Sequence, residues 1–509
     1  MFNQKRLKFT FVSFFILLAF ILFDIFQLQT SEFQSTSEII EQQNLDKFYV
    51  TAPRGEIFDA NGEKLAESKL EPYLFLNMRK ITSQNSSEYR QIIQYNFPEL
   101  TTSEINEIFE SKEILKFVTN LTSVEYEVRN NLLTNFDAFL IIDLPIRSYI
   151  KNELFAHTIG YLGIPNQDEF NEFKNALGNN QVGKNGLERY YEDYLSGIPG
   201  ELIFLGSEII DSKQPIPGED LFLSIDSSTQ YVTKESLQQG IDLANKSFES
   251  INEIKRGASV VLDIETGNIV SMVSLPDFNP NKFVSGISDF EYKQLDRDQA
   301  FNNFAIQGLY PPGSVFKVVA YWLALSENIF PEGLDNKDSK VDCEGSLSFG
   351  FDDGSQQVYN DWKLEGHGKV DLTDAIKQSC NVYFWDIALN IWRNFGNTEG
   401  ESILQEYSRE LGFSGKTNID LPFEKVGIIP DRDLFEEWKI SRPGLVRDEG
   451  WLGGDLMNLI IGQGAITTTP LQVANAYRTL LTGENLSPTL NVNAEKIINN
   501  KINVSDEFI

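Results

Sequence analysis

A serine and a lysine three residues apart, Ser314 and Lys317, lie in the segment Tyr310-Pro311-Pro312-Gly313-Ser314-Val315-Phe316-Lys317, which runs into an apolar stretch over 318–325. Two prolines and a glycine specify a turn. The serine then falls at the first turn of a helix, where unpaired backbone N–H groups favour a developing anion. Positions i and i+3 share a helical face, so the amine is within reach of the hydroxyl. A lysine removed from water loses its proton more readily and can then act as base toward the serine nucleophile. A second Ser-x-x-Lys, Ser148 to Lys151, has no comparable surroundings and reads as coincidence. Downstream, Ser379-Cys380-Asn381 presents another hydroxyl and an amide together. Such groups can relay a proton and hold a substrate amide, although a polar helix terminus would look the same. Histidine is scarce: His157 and His367 leave few candidates for a Ser-His-Asp triad, so a serine acting here uses some other base.

The chain that must position these groups is 509 residues long, which implies two or three folded units. Apolar residues make up 41% of it, including 38 Phe, enough for real cores. Its formal charge of -31 excludes a phosphate-backbone binder, so nucleic acid is not an expected partner. Two cysteines, Cys343 and Cys380, are too few for a disulfide framework. Lys5, Arg6 and Lys8 precede an apolar run over 9–28, interrupted mainly by Thr10, Ser13, Asp24 and Gln27. About 20 residues span a bilayer as a helix. The basic flank places 1–8 in the cytoplasm and exports the rest, and no small-x-small cleavage site follows, so the anchor is expected to stay. Composition changes at Pro215-Ile216-Pro217-Gly218, dividing a mixed polar unit, 29–215, from a second unit, 216–509. Periodicity predicts helices over 103–116, 230–244, 315–325, 372–391 and 471–481, a strand over 220–226, and a hairpin over 258–275.

PPGSVFK followed by SCN resembles the first two active-site motifs of penicillin-binding proteins and serine β-lactamases. The likeness covers nearly the whole chain. Pro53-Arg54-Gly55 through Asp59, Gly62 and Leu65-Ala66 resembles a block of the class B penicillin-binding proteins, and GKNGLERYYEDYLSGIPG, 183–200, resembles their pedestal signature. TNIDLP, 417–422, and Gly462-Gln463-Gly464 with Thr469-Pro470-Leu471-Gln472 match two later landmarks. HTIGYLG, 157–163, and Asp361-Trp362-Lys363 with Gly366-His367-Gly368 are similar to the penicillin-binding protein 2 group. This resemblance implies an α+β fold: a transmembrane helix, an elongated pedestal (dimerisation-like) domain, and a transpeptidase domain. It implies acyl transfer during cell elongation in the bacterial inner membrane, with peptidoglycan stem peptides as substrate, β-lactams as inhibitors and a SEDS-family glycosyltransferase as partner. Ser314 would be the nucleophile and Lys317 the base, with Ser379 and Asn381 assisting. The length of 29–215 argues against a β-lactamase or sensor, whereas a division transpeptidase stays open.

Some members of that group carry a structural zinc held by two Asp, a His and a Cys. The resemblance therefore implies Asp342, Asp361, His367 and Cys380 as ligands, a set whose types suit tetrahedral zinc. A Cys343–Cys380 disulfide is the competing reading and would exclude the ion. One departure stands out: the family's third motif, Lys-Thr/Ser-Gly on a strand, is absent. Lys416-Thr417-Asn418 and Leu481-Thr482-Gly483 are decoys, the first inside TNIDLP and the second at a helix end. Without that strand the hairpin stands nearly alone, so an incomplete central antiparallel sheet and a truncated C-terminal part are expected. A catalytically inactive scaffold for the glycosyltransferase is the alternative function.

Overall fold

In the N-terminal lobe, the long strand β3 (Lys64–Asn77) organises the architecture: Leu65 and Ala66 near its start enter one core, and near its end Leu74 and Leu76 enter a second and Phe75 a third. The computed structural model describes residues 45–509 except 125, 249–252, 285, 351–355 and 507; the apolar run over 9–28 lies outside the described residues. Among the described residues no helix is long and apolar enough to cross a membrane. Strand β1 (Asp46–Val50) precedes β2 (Ile57–Phe58); β4 (Leu115–Asn120) and β5 (Phe139–Tyr149) follow β3, then β6 (Gly200–Leu205), β7 (Glu208–Lys213) and β8 (Leu221–Phe222). β2, β4 and β5 pair antiparallel with β3, β8 joins β2 in parallel, and β1-β6-β7 forms a second, three-stranded sheet. Leu74 and Leu76 of β3 meet Ile93 and Ile105 of two helices, Ser86–Asn96 and Thr102–Glu110, and Phe97, which ends the first. The second of these starts on a Thr101/Glu104 capping box and stops at Glu110. The expected helix over 103–116 is therefore shorter, because its last residues enter β4 and pair with β3.

A buried ionic cluster joins the two family-like blocks of this lobe. Arg54 Nε donates to Glu188 at 2.9 Å, and its two terminal nitrogens donate to Glu192 at 3.1 and 2.9 Å. Arg147 Nε donates to the other Glu188 oxygen at 2.7 Å. Two guanidiniums against two carboxylates leave the cluster neutral, which is how charge persists in a core. Gly55 beside it is obligatory for space: a Cβ there would sit 1.8 Å from the Glu219 carbonyl oxygen.

The C-terminal lobe begins with helix α1 (Ser227–Phe248), then β9 (Gly257–Leu262) and β10 (Ile269–Leu275), the expected hairpin. Among the described residues no third strand joins this pair. It is not isolated, however. Val273 and Leu275 pack on Ile241 and Leu237 of α1, and β10 is largely buried. Helices make up most of the rest of the lobe, among them α2 (Lys317–Glu327), α3 (Leu372–Gln378), α4 (Asn381–Phe395), α5 (Gly453–Ile460) and α6 (Pro470–Thr482). One core unites Phe316 and Leu323 with Phe384, Ile387, Leu456 and Ile460. Two short strands, β11 (Val341–Cys343) and β12 (Gly368–Val370), pair antiparallel beside α4. The expected strand over 220–226 is confined to β8, since Asp226 turns to cap α1 through Thr229. Asp420 of the TNIDLP segment accepts from Leu490 N, Asn491 N and the Tyr191 hydroxyl, tying the second lobe to the first.

Candidate active site

Ser314 lies in a 3₁₀ turn, Gly313–Phe316, that tightens the start of α2, not in the α-helix itself. At three residues per turn, i and i+3 eclipse, so Lys317 still shares the serine's face. The turn is held from behind by the Gly462 block. Gly313 N donates to Gly462 O at 2.8 Å, and a Cβ at Gly462 (φ +71) would lie 2.2 Å from Gly313 O. Tyr310 exchanges two backbone hydrogen bonds with Thr468, and the Tyr477 hydroxyl of α6 donates to Val315 O at 2.9 Å. Sequence reading named these segments as landmarks without finding their contact with the serine turn.

The helix expected over 372–391 is two helices. α3 ends at Ser379, whose φ of 57° and ψ of 38° are left-handed, and α4 restarts at Asn381. This break brings Ser379 and Asn381 onto Lys317. Lys317 Nζ donates to Ser379 O at 2.8 Å, Ser379 Oγ at 3.1 Å and Asn381 Oδ1 at 2.6 Å. Ser379 Oγ in turn donates to Ser314 Oγ at 2.8 Å. The serine and lysine thus communicate through Ser379, where sequence spacing suggested direct contact. Ser314 is exposed, whereas Lys317 is fully buried. Burial lowers the Lys317 pKa from 10.5 to about 8, against the opposing pull of Asp361 and the two cysteines.

The start of α4 is capped by a residue from a distant loop. Cys380 offers no side-chain cap; Asp361 Oδ2 accepts from Asn381 N at 2.7 Å and from Val382 N at 3.4 Å instead. The other carboxylate oxygen faces His367 Nε2 at 3.4 Å. Cys343, Asp361, His367 and Cys380 form a buried set whose ligand atoms all lie within 4.8 Å of one another. The expected ligand Asp342 is not among them. Alternation along β11 turns Asp342 to solvent and Cys343 inward, so a cysteine stands where an aspartate was expected. Both cysteines are free, with their Sγ atoms 2.9 Å apart, so the alternative disulfide is not formed. Burial beside Cys343 pushes the Cys380 thiol up to about 12. Soft thiols with an imidazole and a carboxylate fit a tetrahedral zinc.

Two family models match successive parts of the chain. The family described as Penicillin binding protein transpeptidase domain matches residues 257–507, and the Penicillin-binding Protein dimerisation domain matches residues 49–223. Peptidoglycan D,D-transpeptidase MrdA of Haemophilus influenzae is 30% identical over 491 residues, 92% of this chain and 68% of the relative. The chain belongs to the penicillin-binding protein family. MrdA of Acinetobacter baumannii is 33% identical over 443 residues, 83% of this chain but 59% of that protein, so this chain spans little more than half of it. Among solved penicillin-binding proteins, the complex of PBP2 with MreC from Helicobacter pylori aligns with a TM-score of 0.70 at 28% identity, covering 92% of this chain and 82% of that one. Pseudomonas aeruginosa PBP2 in complex with WCK 5153 aligns at 0.58 and 26%, covering 91% and 75%. The penicillin-binding protein fold here is mixed α/β, with a dimerisation and a transpeptidase domain.

Proposed function

We propose that this chain carries the acyl-transfer centre of a peptidoglycan D,D-transpeptidase acting in cell elongation. One observation carries the reading: an exposed serine hydroxyl hydrogen-bonded to a second serine that touches a buried, acid-shifted lysine. Ser314 Oγ attacks the carbonyl of the penultimate D-alanine of a stem peptide, and its proton passes through Ser379 Oγ to neutral Lys317. Collapse of the adduct breaks the peptide bond, and D-alanine leaves with a proton returned from the lysine. The amine of a neighbouring stem peptide then attacks the ester and frees Ser314. Asn381 spends its carboxamide oxygen on Lys317, which leaves its NH2 for a substrate carbonyl. β-Lactams would acylate the same serine.

Within this reading the 9–28 segment is a single-pass inner-membrane anchor that keeps the N-terminus cytoplasmic and the two lobes periplasmic. A SEDS-family glycosyltransferase is the membrane partner, and the MreC complex of the Helicobacter relative favours an elongation assembly. Cys343, Asp361, His367 and Cys380 would hold one structural zinc ion. Its contribution would be to fix Cys380, and with it the flanking Ser379 and Asn381, against β11.

The test is covalent labelling of the folded chain by a fluorescent penicillin, with Ser314→Ala as control. Labelling that vanishes in the variant is expected. A folded chain that takes no label, or a variant that still takes it, overturns the enzyme reading; the first result leaves the scaffold alternative.

A further inference from the structure

Trp362 follows the capping Asp361 in sequence, yet 65% of it is exposed at the edge of the catalytic corner. Its indole N–H is not spent on solvent. Nε1 donates to the Ser379 carbonyl at 3.1 Å, the same oxygen that Lys317 Nζ approaches to 2.8 Å. One edge of the ring meets His367, with centroids 5.4 Å apart and planes at 62°. Much of the indole surface stays exposed.

The conformation of Ser379 gives this contact its meaning. A residue with a Cβ avoids the left-handed region, and Ser379 is held there at φ 57°. Its N–H is anchored on Ile376 O at 3.2 Å, and its carbonyl is held from two sides, by Lys317 and by Trp362. The lysine cannot be a constant restraint, because a base gives and takes protons during the reaction. The indole N–H is a donor only and does not titrate. It therefore keeps the carbonyl, and through it the Ser379 hydroxyl 2.8 Å from Ser314, in register through the cycle. A rigid apolar ring exposed at a reaction centre also offers contact area at little entropic cost.

We propose that Trp362 is a positioning residue for acyl transfer, fixing Ser379 through its indole N–H and giving the acyl donor, a peptide ending in D-alanyl-D-alanine, an apolar wall in its exposed ring. The inference rests on the transpeptidase reading above. Two substitutions separate its parts: Trp362→Phe keeps a ring and loses the N–H, and Trp362→Ala loses both. With a fluorescent penicillin, the Phe variant should lower the limiting acylation constant about tenfold, the scale of one lost hydrogen bond, and leave the half-saturating concentration nearly unchanged. The Ala variant should add a several-fold rise in that concentration. A Phe variant that matches the wild type in the limiting constant, with the wild type labelled normally, overturns the inference alone; a wild type that takes no label overturns it together with the transpeptidase reading. Should either variant lose thermal stability, 5-fluorotryptophan in the Ser314→Ala chain gives a second readout. The 362 resonance, assigned by its loss in Trp362→Phe, should shift on adding a D-alanyl-D-alanine peptide. A resonance that stays in place with saturating peptide also overturns the proposal.

Discussion

The ionisation of Lys317 sets a quantitative test of the site. A lysine at the ordinary value of 10.5 is neutral in about one molecule in 3,000 at pH 7; at about 8 it is neutral in about one in ten. Two influences oppose each other. Three acceptors, at 2.8, 3.1 and 2.6 Å, match the three N–H bonds of an ammonium and favour the charged form. Complete burial disfavours it, and burial is the larger effect. The neutral form is the base, so acylation must rise with pH. Stopped-time labelling with a fluorescent penicillin should show the second-order acylation constant climbing about tenfold per pH unit below 8 and levelling above it. Asn381→Ala removes the acceptor at 2.6 Å, which favours the charged lysine, so the midpoint should move downward by about one to two pH units while the plateau falls. A midpoint near 10, or a flat profile between pH 6 and 9, would refute the assignment of Lys317 as a desolvated base.

Three further outcomes follow from contacts elsewhere. Glu188→Gln leaves the buried guanidiniums of Arg54 and Arg147 facing Glu192 alone, and should cost about 3–5 kcal/mol in urea unfolding; a loss below about 1 kcal/mol would mean that the cluster relaxes or admits water. Cys343→Ser should remove most bound zinc when metal is assayed after dialysis, whereas Asp342→Asn should leave it unchanged. The reverse pattern would restore Asp342 as the ligand. Gly462→Ala places a methyl against Gly313 O at a positive φ, so the serine turn must shift, and labelling should slow by about 10²-fold with the secondary structure intact by circular dichroism.

Much of the reactive chemistry was legible in the residues. Two prolines and a glycine ahead of Ser314 can specify only a turn, and i, i+3 spacing puts a lysine on the serine's face in either an α or a 3₁₀ geometry. The hairpin over Gly257–Leu262 and Ile269–Leu275 was legible for the same kind of reason, because its alternation and its turn are local. Helix 103–116 was misjudged at its end since pairing with β3, a long-range contact, claims Leu115–Asn120 for a strand.

The order and chemistry of Ser314, Lys317, Ser379 and Asn381 were determined by the sequence alone, as were their family likeness and the buried faces of the helices that carry them. Tertiary structure decided how they are joined. The helix read as continuous over 372–391 breaks at Ser379 because Asp361, from a loop 20 residues away, caps the restart at Asn381. That break makes Ser379 the bridge between serine and lysine. Tertiary structure also placed Cys343 and not Asp342 in the buried cluster with Asp361, His367 and Cys380, since only the pairing of β11 with β12 beside α4 says which face of a three-residue strand turns inward. Spacing along a chain reports which groups can meet; which do meet depends on distant partners whose hydrogen bonds and burial override local preference.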